Sequence, residues 1–220
     1  MSRQKTKKFE ANKLRKNILE PGKEIYEKIS GDWNSLIFKN DRPITLELGC
    51  GRGEYSIGLA SLFPDKNFIG VDIKGDRLYI GSTMAIEQDL PNVAFLRTQM
   101  QWLSKFFNQG EVDEIWLTFP DPRPKDRDEK RRLTYPMYMN LYKEVLKKDG
   151  WFRFKTDNTA LFEYTLALFT AGKVVVTDLD YTFDLYNSSM VSEHFGIKTK
   201  YEGIWTAKGE KIKYMKFRFK

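Results

Sequence analysis

From Pro43 onward, short apolar runs rich in β-branched and aromatic residues alternate with stretches of helical periodicity, and this rhythm constrains the fold more than any other feature of the chain. Ile44–Leu48 reads as a strand and residues 54–63 as a helix, followed by a strand at 67–71 and a helix at 76–89. Further strands are expected at 93–96, 114–119 and 151–155, with helices at 135–147 and 159–171; Pro64 and Gly150 punctuate helix ends. Strands separated by helices pair in parallel, because a crossover must carry the chain back across the sheet before the next strand begins. The expected fold class is therefore α/β, a doubly wound, Rossmann-like, mostly parallel sheet. Two later apolar runs, 173–179 and 212–219, and a turn at Lys208-Gly209-Glu210 suggest a hairpin and so an antiparallel edge strand.

The chain before Pro43 has a different character. Residues 1–17 read as a flexible basic arm and residues 20–39 as a lead-in with one or two helical turns. The expected organisation is 1–40 as basic arm and lead-in helix and 41–220 as one domain. Lysine and arginine crowd residues 3–16, 123–132 and 208–220, and the formal charge of +7 favours a polyanionic partner. Any single cluster reads equally well as a solvated face. Cys50 is the only cysteine and His194 the only histidine, which excludes an intramolecular disulfide, a cysteine-based zinc site and a multi-histidine metal site. The first residues are polar and no apolar run approaches the length of a bilayer span. A cytoplasmic protein without membrane contact is expected, as a monomer or homodimer.

The junction Leu46-Glu47-Leu48-Gly49-Cys50-Gly51-Arg52-Gly53 carries the first chemistry. Gly49, Gly51 and Gly53, at every second position, leave no Cβ to hold a ligand away from the main chain. The G-x-G-x-G spacing differs from the G-x-G-x-x-G of dinucleotide sites, where a helix start faces a pyrophosphate. A phosphate-free nucleoside cofactor, S-adenosylmethionine, suits it better, with Glu47 beside the ammonium of its amino acid end or the water around that group. Asp72 closes the next strand, where a carboxylate accepts both hydroxyl hydrogens of a ribose. Gln99, after the third strand, either reads the adenine edge or is a surface glutamine.

A second junction is denser in charge. Phe119-Pro120-Asp121-Pro122-Arg123-Pro124-Lys125 places one carboxylate between prolines at a strand end, and Arg127, Lys130, Arg131 and Arg132 follow. A rigidly held acid can be aimed at a substrate while the cations after it hold a polyanion. Asp126, Asp128 and Glu129 dilute that field.

In their order along the chain, the glycine junction ending at Gly53, Asp72, the 119–125 segment, Lys130-Arg131-Arg132, Thr156-Asp157-Asn158 and Thr199-Lys200-Tyr201-Glu202 resemble the bacterial tRNA (guanine-N7)-methyltransferases of the TrmB family. The likeness covers most of residues 43–220 and little of what precedes them. It implies a class I SAM-dependent methyltransferase fold and transfer of a methyl group to N7 of a guanine in the tRNA variable loop. S-adenosyl-L-homocysteine would be released, tRNA would be the partner, and no metal would be needed. The resemblance further implies that Glu47, Gly49, Gly51, Gly53, Asp72, Gln99 and Asp121 line the donor site, Asp121 also being catalytic. Lys125, Asp157, Thr199, Lys200, Tyr201 and Glu202 would contact substrate, and Arg127, Lys130, Arg131 and Arg132 would touch RNA. Tyr201 would stack on a flipped base or, like many aromatic residues beside strands, fill core.

Two positions depart from the family pattern: Gln99 stands where Asp or Asn is usual, and Arg123 where Trp often follows Asp-Pro. Glutamine reaches one methylene further, and Arg123 supplies a planar cation that stacks on a base or pairs with phosphate. The residues alone leave two other readings open. One is a methyltransferase of the same fold acting on another RNA or a small molecule; the other is a non-catalytic RNA-binding module.

Overall fold

The computed structural model describes residues 3–220, with side chains from Thr6 onward. In chain order it contains α1 (Arg3–Leu14), β1 (Ile18–Leu19), short turns of helix at Tyr26–Lys28 and Trp33–Phe38, β2 (Ile44–Leu48), α2 (Glu54–Leu62), β3 (Asn67–Asp72), α3 (Gly75–Glu87) and β4 (Val93–Arg97). The second half contains β5 (Val112–Thr118), a 3-10 turn at Asp126–Arg131, α4 (Pro136–Val145), β6 (Leu146–Thr156), α5 (Thr159–Thr170), β7 (Val176–Thr182), α6 (Lys200–Ala207) and β8 (Lys213–Phe219).

All eight strands join one sheet in the order β1-β4-β3-β2-β5-β6-β8-β7. Pairing is parallel from β1 through β6, and β8 runs antiparallel to both of its neighbours. The antiparallel pairing expected at one edge is thus supplied by β8, inserted between β6 and β7. The turn Lys208-Gly209-Glu210 does not close a hairpin: it follows α6, with Gly209 at φ +85° beyond the last helical turn. The strand expected at 173–179 starts only at Val176, because the amides of Lys173 and Val174 bond back to the Leu168 carbonyl and finish α5. Gly150 lies inside β6 rather than at a helix end.

Why the sheet is sandwiched follows from β2, which is buried at every position, Glu47 included, as a central parallel strand covered on both faces must be. On one face α2 and α3 contribute Tyr55, Ile57, Leu59, Leu78 and Ala85; on the other α4 and α5 contribute Met139, Tyr142, Leu161 and Phe162. Helix starts follow local chemistry. Pro136 opens α4 where a missing N–H costs nothing, and the Asn158 carboxamide oxygen accepts the Leu161 amide at 2.8 Å to cap α5.

The N-terminal basic stretch, expected as a flexible arm, is the helix α1 across residues 3–14. Asn12 is fully buried and donates its Nδ2 to the Gly75 carbonyl at 2.9 Å, while the Arg97 guanidinium lies 4.8 Å from the Phe9 ring. A helix this polar has no apolar stripe for sequence periodicity to reveal. The lead-in after it packs into the main core through Ile29, Trp33 and Phe38. Trp33 is fully buried, donates Nε1 to the Phe106 carbonyl at 2.8 Å and stacks on Phe107 at 5.4 Å. Among the described residues no helix is long and apolar enough to cross a membrane.

Truncating a side chain of that size in a packed core costs about 3–5 kcal/mol. Trp33→Ala is therefore expected to lower the urea midpoint of the whole domain in one cooperative transition; an unchanged midpoint would show that the lead-in is not part of the core.

Candidate functional site

The strand order reverses between β2 and β5, and a cleft opens there at the carboxyl ends of the strands, where sheets of this kind bind ligands. Its volume is about 990 Å³. Small-molecule sites span roughly 300–1,000 Å³, so this one has room for more than one ligand moiety.

The glycine turn forms one wall. Gly51 adopts φ +57° and donates its N–H to Asp72 Oδ2 at 2.9 Å, and a Cβ added there would meet nothing nearer than Arg77 at 4.0 Å. The main chain is therefore bare toward the cleft. Gly53 serves a different purpose: at φ +70° it precedes α2, and a Cβ would come within 2.4 Å of the Phe95 ring. It lets the turn pack on β4 and does not line the cleft. Asp72 accepts the Lys74 amide on Oδ1 at 2.8 Å as well, leaving each of its oxygens a free lone pair. Glu47 lies below, its Oε2 accepting the Ser56 amide at 2.9 Å and its Oε1 the Thr118 hydroxyl at 2.8 Å. Burial pushes the Glu47 carboxyl up to about 7 against the pull of the Ser56 and Thr118 hydrogen bonds, and the Asp72 charge adds to the push.

The opposite wall begins where β5 ends. The Phe119 amide donates to the Lys155 carbonyl at 2.8 Å, and Phe119 then turns to φ +48°. Arg123 repeats the left-handed conformation at φ +46°, so the Pro-Asp-Pro unit is bracketed by two strained non-glycine residues. The Asp121 carboxylate, 63% exposed, faces the cleft and lies 3.2 Å from Arg123 Nε.

A third wall is the start of α6. Thr199 Oγ1 accepts the Glu202 amide at 3.1 Å, and the Lys200 amide donates to Glu54 Oε2 at 2.7 Å. Tyr201 is exposed, with its ring 5.6 Å from that of Phe119, so it is a cleft residue and not core. Glu202 turns inward instead. It is fully buried, with Lys155 Nζ 2.8 Å from Oε1 and 3.0 Å from Oε2, and it also accepts the Tyr186 hydroxyl. Burial pulls the Lys155 pKa down, opposed by Glu202.

The cleft thus gathers Glu47, Gly49, Gly51, Asp72, Gln99 and Asp121 with Thr199, Lys200, Tyr201 and Arg131. Lys125, Arg127 and Lys130 are exposed on and beside the 3-10 turn and do not line it. Arg132 lies behind, donating Nε to the Arg123 carbonyl at 3.2 Å with its guanidinium 4.4 Å from the Tyr164 ring. Asp157 is half-buried at the end of β6, and burial pushes its carboxyl up. His194 packs against Tyr186 at 5.1 Å, away from the cleft.

Sequence reasoning missed Arg77, Thr98 and Leu133, all of which line the cleft. The Thr98 hydroxyl is buried without a hydrogen-bond partner beside Gln99, an acceptor and donor waiting for a ligand. The bare glycine turn, the spare lone pairs of Asp72, the buried Glu47 and this orphaned hydroxyl fit a ligand carrying a nucleoside and a cation. Among the described residues no cluster of His, Cys, Asp or Glu could hold a metal ion.

Comparison with known proteins agrees with this geometry. A family model described as a putative methyltransferase matches residues 41–215. A tRNA (guanine-N(7)-)-methyltransferase of Cytophaga hutchinsonii is 47% identical over 219 residues, covering 100% of this chain and 99% of its own length. Its counterpart in Christiangramia forsetii is 42% identical over 225 residues, covering 100% and 99%. The chain belongs to the bacterial tRNA (guanine-N7)-methyltransferase family. Among solved structures, an antibiotic-related methyltransferase superposes with a TM-score of 0.61 at 21% identity, covering 86% of this chain and 92% of that one. A 16S rRNA (adenine(1408)-N(1))-methyltransferase from Catenulisporales acidiphilia, solved with cosubstrate SAM, gives 0.56 at 13% identity over 86% and 89%. These two likenesses establish the class I methyltransferase fold.

Within this family member, Glu202 and Lys155 form a test of packing against contact. Removing one partner of a buried ion pair costs about 3–5 kcal/mol, whereas replacing both by apolar groups is often neutral. Glu202→Leu and Lys155→Met are each expected to lower the thermal midpoint strongly and the double variant to recover most of it. Additive losses in the double variant would contradict a simple buried pair.

Proposed function

We propose that this chain transfers a methyl group from S-adenosylmethionine to N7 of a guanine in the tRNA variable loop, with Asp121 beside the reacting purine. The observation that carries the reading is a single cleft that joins the glycine turn and Asp72 to Asp121 and Tyr201, in a chain that matches tRNA (guanine-N(7)-)-methyltransferases over its whole length. The cofactor supplies an electrophilic methyl group on sulfonium sulfur. The bare main chain at Gly49 and Gly51 admits it closely, the Asp72 oxygens accept its ribose hydroxyls, and Thr98 and Gln99 offer hydrogen bonds to its base. Glu47 provides the counter-charge for its ammonium.

Guanine N7 carries an available lone pair at neutral pH, so the site needs no general base and its work is alignment. Tyr201 and Phe119 form an aromatic wall against which a flipped guanine stacks. The Asp121 carboxylate, which lines the cleft, stabilises the positive charge that the purine acquires. Because the Pro-Asp-Pro unit is held by strain at both ends, that carboxylate needs little reorganisation. Lys200, Arg131 and the cations of the 3-10 turn then hold the RNA backbone while the base is inserted. The reading includes a cytoplasmic setting for the reaction, in keeping with a tRNA substrate.

Incubation of the protein with unmodified tRNA and labelled donor, followed by reduction and chemical cleavage at N7-methylguanine, is expected to give one break, in the variable loop. Breaks at other guanines, or label without breaks, would assign a different acceptor.

The raised Glu47 carboxyl also makes donor binding depend on pH. A free-state value of about 7 against the usual 4.5 means that Glu47 must lose a proton to face an ammonium below neutrality. Affinity for S-adenosylmethionine should fall by up to about tenfold per pH unit as pH drops from 7 toward 5. Calorimetry on Glu47→Gln should show weaker binding without that slope; a slope that persists there would remove Glu47 from the titration.

A further inference from the structure

The Asp121 carboxylate is not free in this structure: Arg123 Nε sits 3.2 Å from its Oδ2, and both side chains line the cleft. The pair is exposed, 42% at Arg123 and 63% at Asp121, and pairs so placed are worth about 0–1 kcal/mol, so little holds it together. The main chain, by contrast, is fixed. Arg123 is flanked by Pro122 and Pro124, its carbonyl accepts Arg132 Nε at 3.2 Å, and its amide donates to Asp121 Oδ1 at 3.2 Å. Only the guanidinium is at liberty to move. We propose that Arg123 is a substrate-exchanged clamp: its guanidinium rests on Asp121 in the free enzyme and passes to a phosphate of the bound RNA, which frees the carboxylate to face the guanine.

The chemistry favours that exchange. A phosphate presents a doubly accepting edge that matches the planar fork of arginine, whereas the approach to Asp121 here is through Nε at 3.2 Å. Arg131 and Lys200 line the same cleft, so a phosphate arriving there meets convergent cations, and the departure of Arg123 leaves Asp121 as the uncompensated charge beside the base. The free enzyme thereby avoids presenting an unpaired carboxylate to approaching RNA, and the repulsion is exposed only after the backbone is held.

The proposal rests on the reading of Asp121 given above, and its test separates the two. Affinity for unmodified tRNA is measured for the wild type, Asp121→Asn, Arg123→Gln and the double variant at several salt concentrations, with thermal melts to verify folding. In the wild-type background Asp121→Asn should tighten binding by up to about fivefold, because Arg123 no longer has to leave a partner. In the Arg123→Gln background that gain should shrink to the small change expected for losing one negative charge near RNA. Arg123→Gln alone should flatten the plot of log affinity against log salt by about 0.7–0.9, as expected when one phosphate fewer is neutralised. Equal gains in both backgrounds, or an unchanged salt slope, would overturn the exchange and leave Arg123 as a fixed partner of Asp121. Whether the wild type methylates guanine N7 is read in parallel, so failure of the functional assignment is seen independently of the binding cycle.

Discussion

One residue on β6 ties two walls of the cleft together. Lys155 pairs with Thr118 in the parallel ladder, and its carbonyl accepts the Phe119 amide at the point where β5 gives way to the strained Asp121 loop. Its ammonium, fully buried, meets Glu202 on the first turn of α6. The main chain of Lys155 therefore sets where Asp121 stands and its side chain sets where Thr199, Lys200 and Tyr201 stand. A buried ion pair of this kind adds little net stability, because desolvation offsets most of the attraction. What it supplies is registration: either partner alone is costly, so α6 has one seat on the sheet. The aromatic rings of Tyr55 and Phe119, 5.3 and 5.9 Å from the ammonium, complete that seat.

The glycine-turn side of the cleft depends on a different constraint, the divergence of crossovers on either side of β2 and β5. Where neighbouring strands send their connections to opposite sides, no segment fills the space above their carboxyl ends. Glu47, Asp72, Gln99 and Asp121 all occupy such ends, which is why residues far apart in sequence converge on one cavity. Burial that raises the Glu47 carboxyl follows from the same placement, since a central strand is covered on both faces.

Much of this was readable from sequence because parallel strands and their crossover helices have distinct periods, and because glycines and acids at strand ends mark where the main chain must turn beside a ligand. The contacts that escaped notice are those whose partners lie far away in the chain. Glu202 sits three residues after Thr199, a spacing that suits a helix cap or a polar surface, and nothing local announces that Lys155 will draw it inward. The contact of Lys200 with Glu54 joins positions 146 residues apart and leaves no trace in either neighbourhood. Helix α1 escaped for the opposite reason. It docks through Asn12 and Phe9, two residues among many lysines, and polar docking generates no hydrophobic period. The turn at Gly209 was a true turn signal assigned to the wrong pair of elements, because a helix end and a hairpin both use glycine at positive φ.

In the mechanism proposed above the negative charge of Asp121 acts on the purine during transfer, and single-turnover kinetics of Asp121→Asn test that role directly. With donor and tRNA both saturating, the expected rate is about 10²–10³-fold below wild type, the size of effect when one preorganised electrostatic partner of a transition state is removed. A rate within a few-fold of wild type under the same saturation would contradict that role.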